Sequence, residues 1–267
     1  CATGKPVVVV LKGGRPFNIS YAAENGQAIL VNWLPGQEGG DATADVLFGD
    51  YNPAGRLPMP FPQHVGQVPH YYNFKTSGRR YEYSDLEFYP LYKFGYGLSY
   101  TTFSYSNLKT EIRNNGTIVV TANVTNTGTK AGDEVAQLYI TDMYASVKTR
   151  VMELKDFQRI FLQPGETRQV AFTLTPYQLS LLNDRMDRVV EKGEFKIMVG
   201  GSSPDYKAND RIKDSLGYKD QTKGAVTTID YPYEFAADFG LVVNGIQEDP
   251  LTKKKTVLVK VKNTGNI

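Results

Sequence analysis

The central part of this 267-residue chain alternates apolar and polar residues with a period of two. The alternation occurs in residues 118–125, 169–174 and 194–199, with Val120 and Phe172 among the apolar positions. A period of two places every second side chain on one face, so these segments are predicted to be strands covered on one side. Turn sequences such as Asn-Thr-Gly and Pro-Gly-Glu separate them, which predicts an all-β, immunoglobulin- or fibronectin type III-like sandwich over residues 101–202.

The first 70 residues show a different pattern, which is α/β in character. Residues 6–11 form a continuous β-branched run, typical of a strand in a parallel sheet covered on both faces. Residues 22–33 and 37–48 are predicted helices. Asp41 is the predicted N-cap of the second helix, and Gly49 is its predicted left-handed C-terminal cap.

Three further segments complete the predicted organisation of the chain. Residues 71–100 are rich in Tyr, Pro and Gly and are predicted to be an ordered connector, because a flexible linker would carry fewer aromatic residues. Residues 203–235 are polar and irregular and are predicted to be a linker. TVLVKVKNTG at 256–265 repeats the pattern of VVTANVTNTG at 119–128, so residues 236–267 are predicted to start a second, truncated β module.

Charge and composition exclude several classes of protein. The 30 basic and 28 acidic residues give a net charge of +2, which is too balanced for a protein that binds nucleic acid by neutralising phosphates. One cysteine and two histidines exclude a Cys/His zinc cluster and an intrachain disulfide. The longest apolar run, Pro6–Leu11, is far shorter than the roughly 20 residues that span a bilayer. We therefore expect no nucleic-acid partner, no membrane span and no cofactor.

Several long segments resemble, in order, the C-terminal part of glycoside hydrolase family 3. The segments GKPVVVVL (4–11), WLPGQEGG (33–40) and ADVLFGDYNPAGRLP (44–58) resemble the family's α/β-sandwich domain. YPLYKFGYGLSYTTF (89–103) resembles its link into a fibronectin type III-like domain, and LKDFQRI with LQPGE (154–166) resembles that domain's interior. The resemblance implies that residues 1–70 are part of an α/β sandwich. The start at Cys1 without methionine adds the expectation of a piece of a longer protein.

The resemblance also implies a chemistry. Enzymes of this family are typically β-glucosidases, β-xylosidases or N-acetylhexosaminidases that retain anomeric configuration, with two carboxyl groups about 5 Å apart as nucleophile and acid/base. The nucleophile is usually an Asp in a Ser-Asp-Trp motif on a preceding barrel, and the acid/base is usually a Glu before the segment matched by Gly4–Leu11. Here the nearest string, Ser84-Asp85-Leu86, lies in the connector. Both catalytic carboxylates are therefore expected outside this chain, which alone is expected to be inactive.

The implied function is that of the C-terminal part of a β-glucosidase acting on terminal non-reducing β-D-glycosyl residues of oligosaccharides. A β-xylosidase of the same family is one alternative, and a non-catalytic carbohydrate-binding or adhesion module is another. The implied partners are the oligosaccharide and the barrel of the same polypeptide, upstream or, in a permuted order, downstream. A secreted or periplasmic location is implied by the family.

The remaining polar candidates are interpreted as structural. Four carboxylates of the predicted α/β unit are interpreted as helix caps and surface charges, with Glu38 the most interesting because glycines follow it: Glu24, Glu38, Asp41 and Asp45. His64 and His70 flank a Pro-containing turn and are interpreted as structural. Ser99 lacks the Gly-x-Ser-x-Gly pattern of a nucleophile elbow.

Aromatic residues and glycosylation triplets give weaker signals. The tyrosines of the connector could stack on sugar rings or join two domains, and we favour the second: Tyr71, Tyr72, Tyr81, Tyr83, Tyr89, Tyr92, Tyr96 and Tyr100. Asn18, Asn115 and Asn123 begin Asn-x-Ser/Thr triplets, which are common by chance.

Overall fold

The computed structural model describes residues 4–75, 88–204, 224–236, 239–248 and 255–263. Its first part is a small α/β unit made of strand β1 (Val8–Lys12), helix α1 (Ser20–Asn25), strand β2 (Ala28–Trp33) and helix α2 (Gly39–Phe48). Strands β1 and β2 pair in parallel. The strand predicted at 6–11 and the helix predicted at 37–48 are confirmed, with ends shifted by one or two residues.

The helix predicted over residues 22–33 is wrong in its second half. Helix α1 ends at Asn25, and Ala28–Trp33 forms β2. Gly26 ends the helix with an extended backbone, and the apolar run that follows pairs with β1. A short apolar run is compatible with a buried strand as well as a helix, and pairing with β1 decides between the two.

The two ends of α2 correct one predicted cap and confirm the other. Glu38, and not Asp41, occupies the N-cap position, and its side chain makes no capping hydrogen bond. Asp41 lies in the first turn, where its negative charge interacts favourably with the positive end of the helix dipole. Gly49 ends the helix in the left-handed region with φ 89°, as predicted.

The middle of the chain forms the predicted β-sandwich. Its larger strands are β3 (Phe103–Ile112), β4 (Ile118–Asn126), β5 (Gly132–Asp142), β6 (Glu153–Leu162), β7 (Thr167–Leu174), β10 (Gly193–Gly200) and β11 (Gly224–Tyr231). They form one sheet of order β3-β4-β7 and a second of order β11-β10-β5-β6. A short helix α3 (Pro176–Leu179) follows β7, and a small sheet consists of β8 (Leu181–Leu182), β9 (Arg188–Val190) and β12 (Phe235–Ala236).

The core of the sandwich lies between the two sheets. Val120 and Phe172 come from the first sheet, and Leu138 and Ile197 come from the second, and all four are fully buried. Three of these are inward positions of the alternating segments that predicted strands. The period-two pattern therefore placed the core correctly in β4, β7 and β10.

The linker predicted over residues 203–235 is wrong in part, because it contains a strand of the sandwich. Strand β11 pairs antiparallel with β10, with Phe195 opposite Ile229. Tyr231 at its end is buried and donates a hydrogen bond of 2.6 Å to the carbonyl oxygen of Gly116. Since β11 is built into the sheet, the sandwich continues to Tyr231, well beyond the predicted boundary at residue 202.

The last described segments form an antiparallel pair, β13 (Phe239–Glu248) and β14 (Lys255–Asn263). The strand predicted from the repeat at 256–265 is confirmed as far as Asn263. The turn predicted after it lies outside the described residues, as do Cys1, Ser84, Asp85, Tyr81 and Tyr83. A second β module stays a prediction.

Candidate functional site

The four candidate carboxylates of the α/β unit are all exposed. Glu24 lies on α1, Glu38 precedes α2, and Asp41 and Asp45 lie on α2. A catalytic acid needs burial or a neighbouring charge to hold its proton near neutral pH. Burial is absent at these four side chains, in agreement with their interpretation as surface charges.

The two histidines have structural hydrogen bonds. His64 accepts a hydrogen bond of 3.1 Å at Nδ1 from the backbone N–H of Gly66 and caps the 3₁₀ helix Val65–Gln67. The ring of His70 stacks on Phe88, and its Nε2 lies 3.0 Å from the Phe88 carbonyl oxygen. Burial lowers the pKa of His70, which favours the neutral ring. His64 thus stabilises its own turn, and His70 joins the end of the α/β part to Phe88 of the connector.

Ser99 is hydrogen-bonded to an amide and not to a histidine. Its Oγ donates to Asn52 Oδ1 over 2.8 Å and accepts a bond from the backbone N–H of Thr101. This arrangement does not activate a serine nucleophile, which requires an adjacent general base.

Most described tyrosines of the connector contact protein. Tyr72 stacks on Phe94 with centroids 4.0 Å apart and meets the edge of Tyr139, which belongs to β5 of the sandwich. Tyr92 and Tyr96 stack on each other at 5.3 Å, and Tyr89 is buried. The hydroxyl of Tyr100 donates to the carbonyl oxygen of Val46 in α2. These contacts support the interpretation that the rings join the two domains, while Tyr71 remains exposed.

A buried ion pair connects the α/β unit to the sandwich. Arg56 Nη2 lies 2.6 Å from Glu134 Oε2 on β5, and the side chains are only 10% and 4% exposed. Tyr105 on β3 donates a hydrogen bond of 2.6 Å to Glu134 Oε1. Burial and the negative charge of Glu134 raise the pKa of Tyr105 well above its ordinary value. Glu134 is therefore a buried carboxylate that receives one bond from each side of the boundary between the domains.

Hydrogen bonds of the segment after α2 reinforce this contact. The Nδ2 of Asn52 donates to the carbonyl oxygen of Ala131 over 2.9 Å, and its Oδ1 accepts from Ser99 and from the backbone N–H of Tyr100. Arg159 on β6 donates to the Tyr51 hydroxyl over 2.8 Å. We call this set of contacts, together with the Arg56–Glu134 pair, the junction.

Neither Arg56 nor Glu134 stands out in the sequence as a functional residue. A signal for Glu134 exists, because it stands in phase with Ala136, Leu138 and Ile140, whose side chains face the core of the sandwich. A charged residue at an inward position needs a partner. Its partner, Arg56, lies 78 residues earlier in the chain, a separation that local patterns do not reveal.

The described residues contain no metal site and no membrane helix. No group of three or more His, Cys, Asp or Glu side chains that could hold a metal ion occurs among them. In the same part of the chain, no helix is long and apolar enough to cross a membrane.

The structure is part of a multidomain protein. Its α/β unit is joined to a fibronectin type III-like sandwich through an aromatic connector and buried polar contacts. Residues 1–100 match the glycosyl hydrolase family 3 C-terminal domain, and residues 134–203 match the fibronectin type III-like domain. The chain belongs to glycoside hydrolase family 3 and contains the C-terminal portion of that architecture.

Named relatives include both β-xylosidases and β-glucosidases. The chain is 51% identical over 225 residues to a β-xylosidase of Formosa agariphila, a match that covers 81% of this chain and 30% of the relative. It is 43% identical over 215 residues to a periplasmic β-glucosidase of Salmonella typhimurium, covering 76% of this chain and 28% of the relative. The chain thus spans about 30% of the length of these relatives.

Solved structures show the same fold. A β-glucosidase from Listeria innocua in complex with isofagomine superposes with a TM-score of 0.74 at 36% identity, covering 86% of this chain and 31% of that one. β-Glucosidase 3B from Thermotoga neapolitana in complex with α-D-glucose gives 0.70 at 31% identity, covering 87% and 32%.

Proposed function

We propose that this chain is the C-terminal part of a retaining β-glycosidase that removes terminal non-reducing β-D-glucosyl residues from oligosaccharides. The observation that carries the proposal is the match over most of the chain to enzymes named β-glucosidase and β-xylosidase. A β-xylosidase is the second candidate, and the 51% identity to the Formosa agariphila enzyme favours it specifically.

The catalytic carboxylates belong, in this proposal, to segments outside the chain. Retention of configuration needs two carboxyl groups about 5 Å apart, one as nucleophile and one as acid/base. The four carboxylates of the α/β unit that sequence reasoning considered are all exposed. We therefore assign none of them to catalysis, and the substrate and the barrel of the same polypeptide are the proposed partners.

The role of this chain is then to complete a wall of the active site and to hold the sandwich against the α/β unit. Strands β1 and β2 form a two-stranded parallel sheet, a type of sheet that other elements normally cover on both faces. Leu34 and Phe48, beside these strands and at the end of α2, are 78% and 83% exposed. Burial of each such side chain contributes about 1.5–3 kcal/mol, so docking of the barrel on these side chains would be favourable.

Hydrolysis of aryl β-glucosides and aryl β-xylosides tests the proposal. We expect the longer protein to hydrolyse at least one of them and the isolated 267-residue chain to hydrolyse neither. Hydrolysis by the isolated chain above the rate of a mock preparation would contradict the proposal. An inactive longer protein that binds polysaccharide would instead support the carbohydrate-binding alternative.

The ratio of the two rates decides between the two substrate classes. A higher kcat/KM for the glucoside supports the β-glucosidase, and a higher kcat/KM for the xyloside supports the β-xylosidase. One hydroxymethyl group distinguishes the two sugars. A pocket that only accommodates or excludes its bulk discriminates by roughly 10- to 200-fold, and a pocket that hydrogen-bonds its hydroxyl discriminates by roughly 10⁴-fold or more.

A further inference from the structure

A cavity of about 380 Å³ lies beside the Arg56–Glu134 pair of the junction. Its walls include Arg56 and Ser99 from the α/β side and Phe103, Tyr105 and Glu134 from the sandwich. Small-molecule sites typically have volumes of roughly 300–1,000 Å³ and occur preferentially between domains. The cavity therefore has the size and the position of a ligand site.

The polar groups of the cavity carry no net charge and offer hydrogen bonds to hydroxyl groups. The charges of Arg56 and Glu134 offset each other at a separation of 2.6 Å. Glu134 accepts one bond from Arg56 and one from Tyr105, and a carboxylate provides about four acceptor positions, so further donors fit. The hydroxyls of Ser99 and Tyr105 each retain acceptor capacity. This set of groups favours a neutral ligand with several hydroxyls over an ionic one.

The cavity also has apolar and aromatic lining residues beside its polar ones. Phe103, Tyr96 and Leu98 line it, and Leu98 at its mouth is 65% exposed. A ligand that fits both kinds of lining residue has a C–H surface and a rim of hydroxyl groups, which is the chemistry of a pyranose ring.

A glycine keeps the carboxylate of Glu134 at the cavity wall. Gly201 also lines the cavity, and a Cβ at this position would lie 2.5 Å from Glu134 Oε1. A larger residue would displace the carboxylate from its bonds to Arg56 and Tyr105. The backbone at Gly201 thus permits the arrangement that gives the cavity its polar wall.

We propose that this cavity binds a neutral monosaccharide of pyranose size. The choice of sugar rests on the proposed function, whose products are D-glucose and D-xylose. Because Arg56 and Ser99 precede the sandwich and Glu134 belongs to it, a bound sugar contacts both sides of the junction. Sugar binding therefore stabilises the arrangement of the α/β unit relative to the sandwich.

Thermal unfolding of the 267-residue chain with added sugar tests the proposal. D-Glucose or D-xylose should raise Tm along a saturable curve, because a ligand that binds only the folded state stabilises it by mass action. Sucrose at the same concentrations controls for the non-specific effect of excluded osmolytes, which does not saturate. A rise in Tm that is linear and equal for all three sugars, or no rise, would overturn the proposal.

A variant that fills the mouth of the cavity provides the specific control. Thr102 is exposed and lines the cavity. Thr102→Trp should therefore weaken binding and raise the half-saturating sugar concentration at least tenfold. Thr173→Trp, at an exposed position on β7, should bind sugar as the wild type does. If Thr102→Trp does not fold, Leu98→Trp replaces it. Equal binding by the cavity variant and by Thr173→Trp would refute the site.

The outcomes for the cavity and for the proposed function are separable. If the longer protein hydrolyses aryl glycosides but the chain shows no saturable sugar binding, the cavity proposal fails and the proposed function stands. If the chain binds sugar saturably and the longer protein is inactive, the cavity proposal stands and the proposed function fails.

Discussion

Replacing Arg56 by methionine should destabilise both the α/β unit and the sandwich. Methionine keeps much of the side-chain volume and removes the guanidinium, so Glu134, which is 4% exposed, loses the cation that lies 2.6 Å away. The hydrogen bond from Tyr105 to the other carboxylate oxygen remains. A buried carboxylate is thus left with one neutral donor in place of a cation and a donor.

The expected loss in the free energy of unfolding is about 3 kcal/mol. Removing one partner of a buried ion pair typically costs about 3–5 kcal/mol, and the bond that Tyr105 retains places this case at the lower end. At roughly 2–4 °C per kcal/mol for a chain of this size, Tm should fall by roughly 6–12 °C. The double variant Arg56→Met/Glu134→Gln should recover more than half of the loss, because replacing both charges is often close to neutral.

Arg159→Met is the matched control for this prediction. Arg159 pairs with Asp133 at a similar distance, 2.7 Å, but its side chain is 53% exposed. Exposed pairs contribute about 0–1 kcal/mol, so the control should lower Tm by only a few degrees. The comparison isolates burial, since both changes remove a guanidinium from a close ion pair at the junction.

The single tryptophan of the chain makes the assay informative. Trp33 lies in β2 of the α/β unit, and its ring centroid is 6.0 Å from that of Phe61. Its fluorescence reports unfolding of that unit, while far-UV circular dichroism reports mainly the strands of the sandwich. Both signals should shift together in Arg56→Met. An unchanged Trp33 transition, or a loss no larger than that of Arg159→Met, would refute the assigned role of the junction.

Three smaller predictions follow from other positions. Because burial lowers the pKa of His70, the unfolded state binds more protons than the folded state in acid. The contribution of His70 to the free energy of unfolding should be complete above about pH 6.5 and should be lost as the pH falls through the lowered folded-state pKa. Urea titrations at several pH values should show a weaker decline in His70→Gln. Gly49→Ala should cost about 1–2 kcal/mol at φ 89°, measured by Trp33 fluorescence in urea, and an unchanged midpoint would contradict the left-handed cap. Phe172→Ala should cost about 3–5 kcal/mol in the core, whereas Phe157→Ala, at a side chain 60% exposed, should cost less than about 0.5 kcal/mol by thermal unfolding; equal losses would contradict the assigned core.

The fold was predictable where one period dominated the sequence. Residues 118–125 alternate strictly and became β4, whose burial alternates in the same phase. Ala28–Trp33 was mispredicted as helix, because a short apolar run has no decisive period and its pairing with β1 is a tertiary effect. Strand β11 was missed for a related reason. Its inward positions mix a small, a polar and two large residues (Ala225, Thr227, Ile229 and Tyr231), and pairing with β10 supplies the stability that composition does not show.

The candidate site was less predictable than the fold. The exposure of the four carboxylates and the hydrogen bonds of the two histidines agree with their interpretation from sequence as structural residues, which stays a prediction. The junction could not, because Arg56 and Glu134 lie 78 residues apart and each belongs to a segment with an ordinary local pattern. Only the three-dimensional arrangement brings the two charges together. A single sequence does not show whether two positions change together among related proteins.

The position of the catalytic nucleophile tests the central claim most directly. A retaining glycosidase forms a covalent glycosyl-enzyme intermediate, so a 2-deoxy-2-fluoro glycoside that deglycosylates slowly should label one carboxylate of the longer protein. Peptide mapping by mass spectrometry then locates the label. We predict a labelled Asp in a segment outside residues 1–267. A label on any Asp or Glu within this chain would contradict the claim that it supports the active site without supplying the nucleophile.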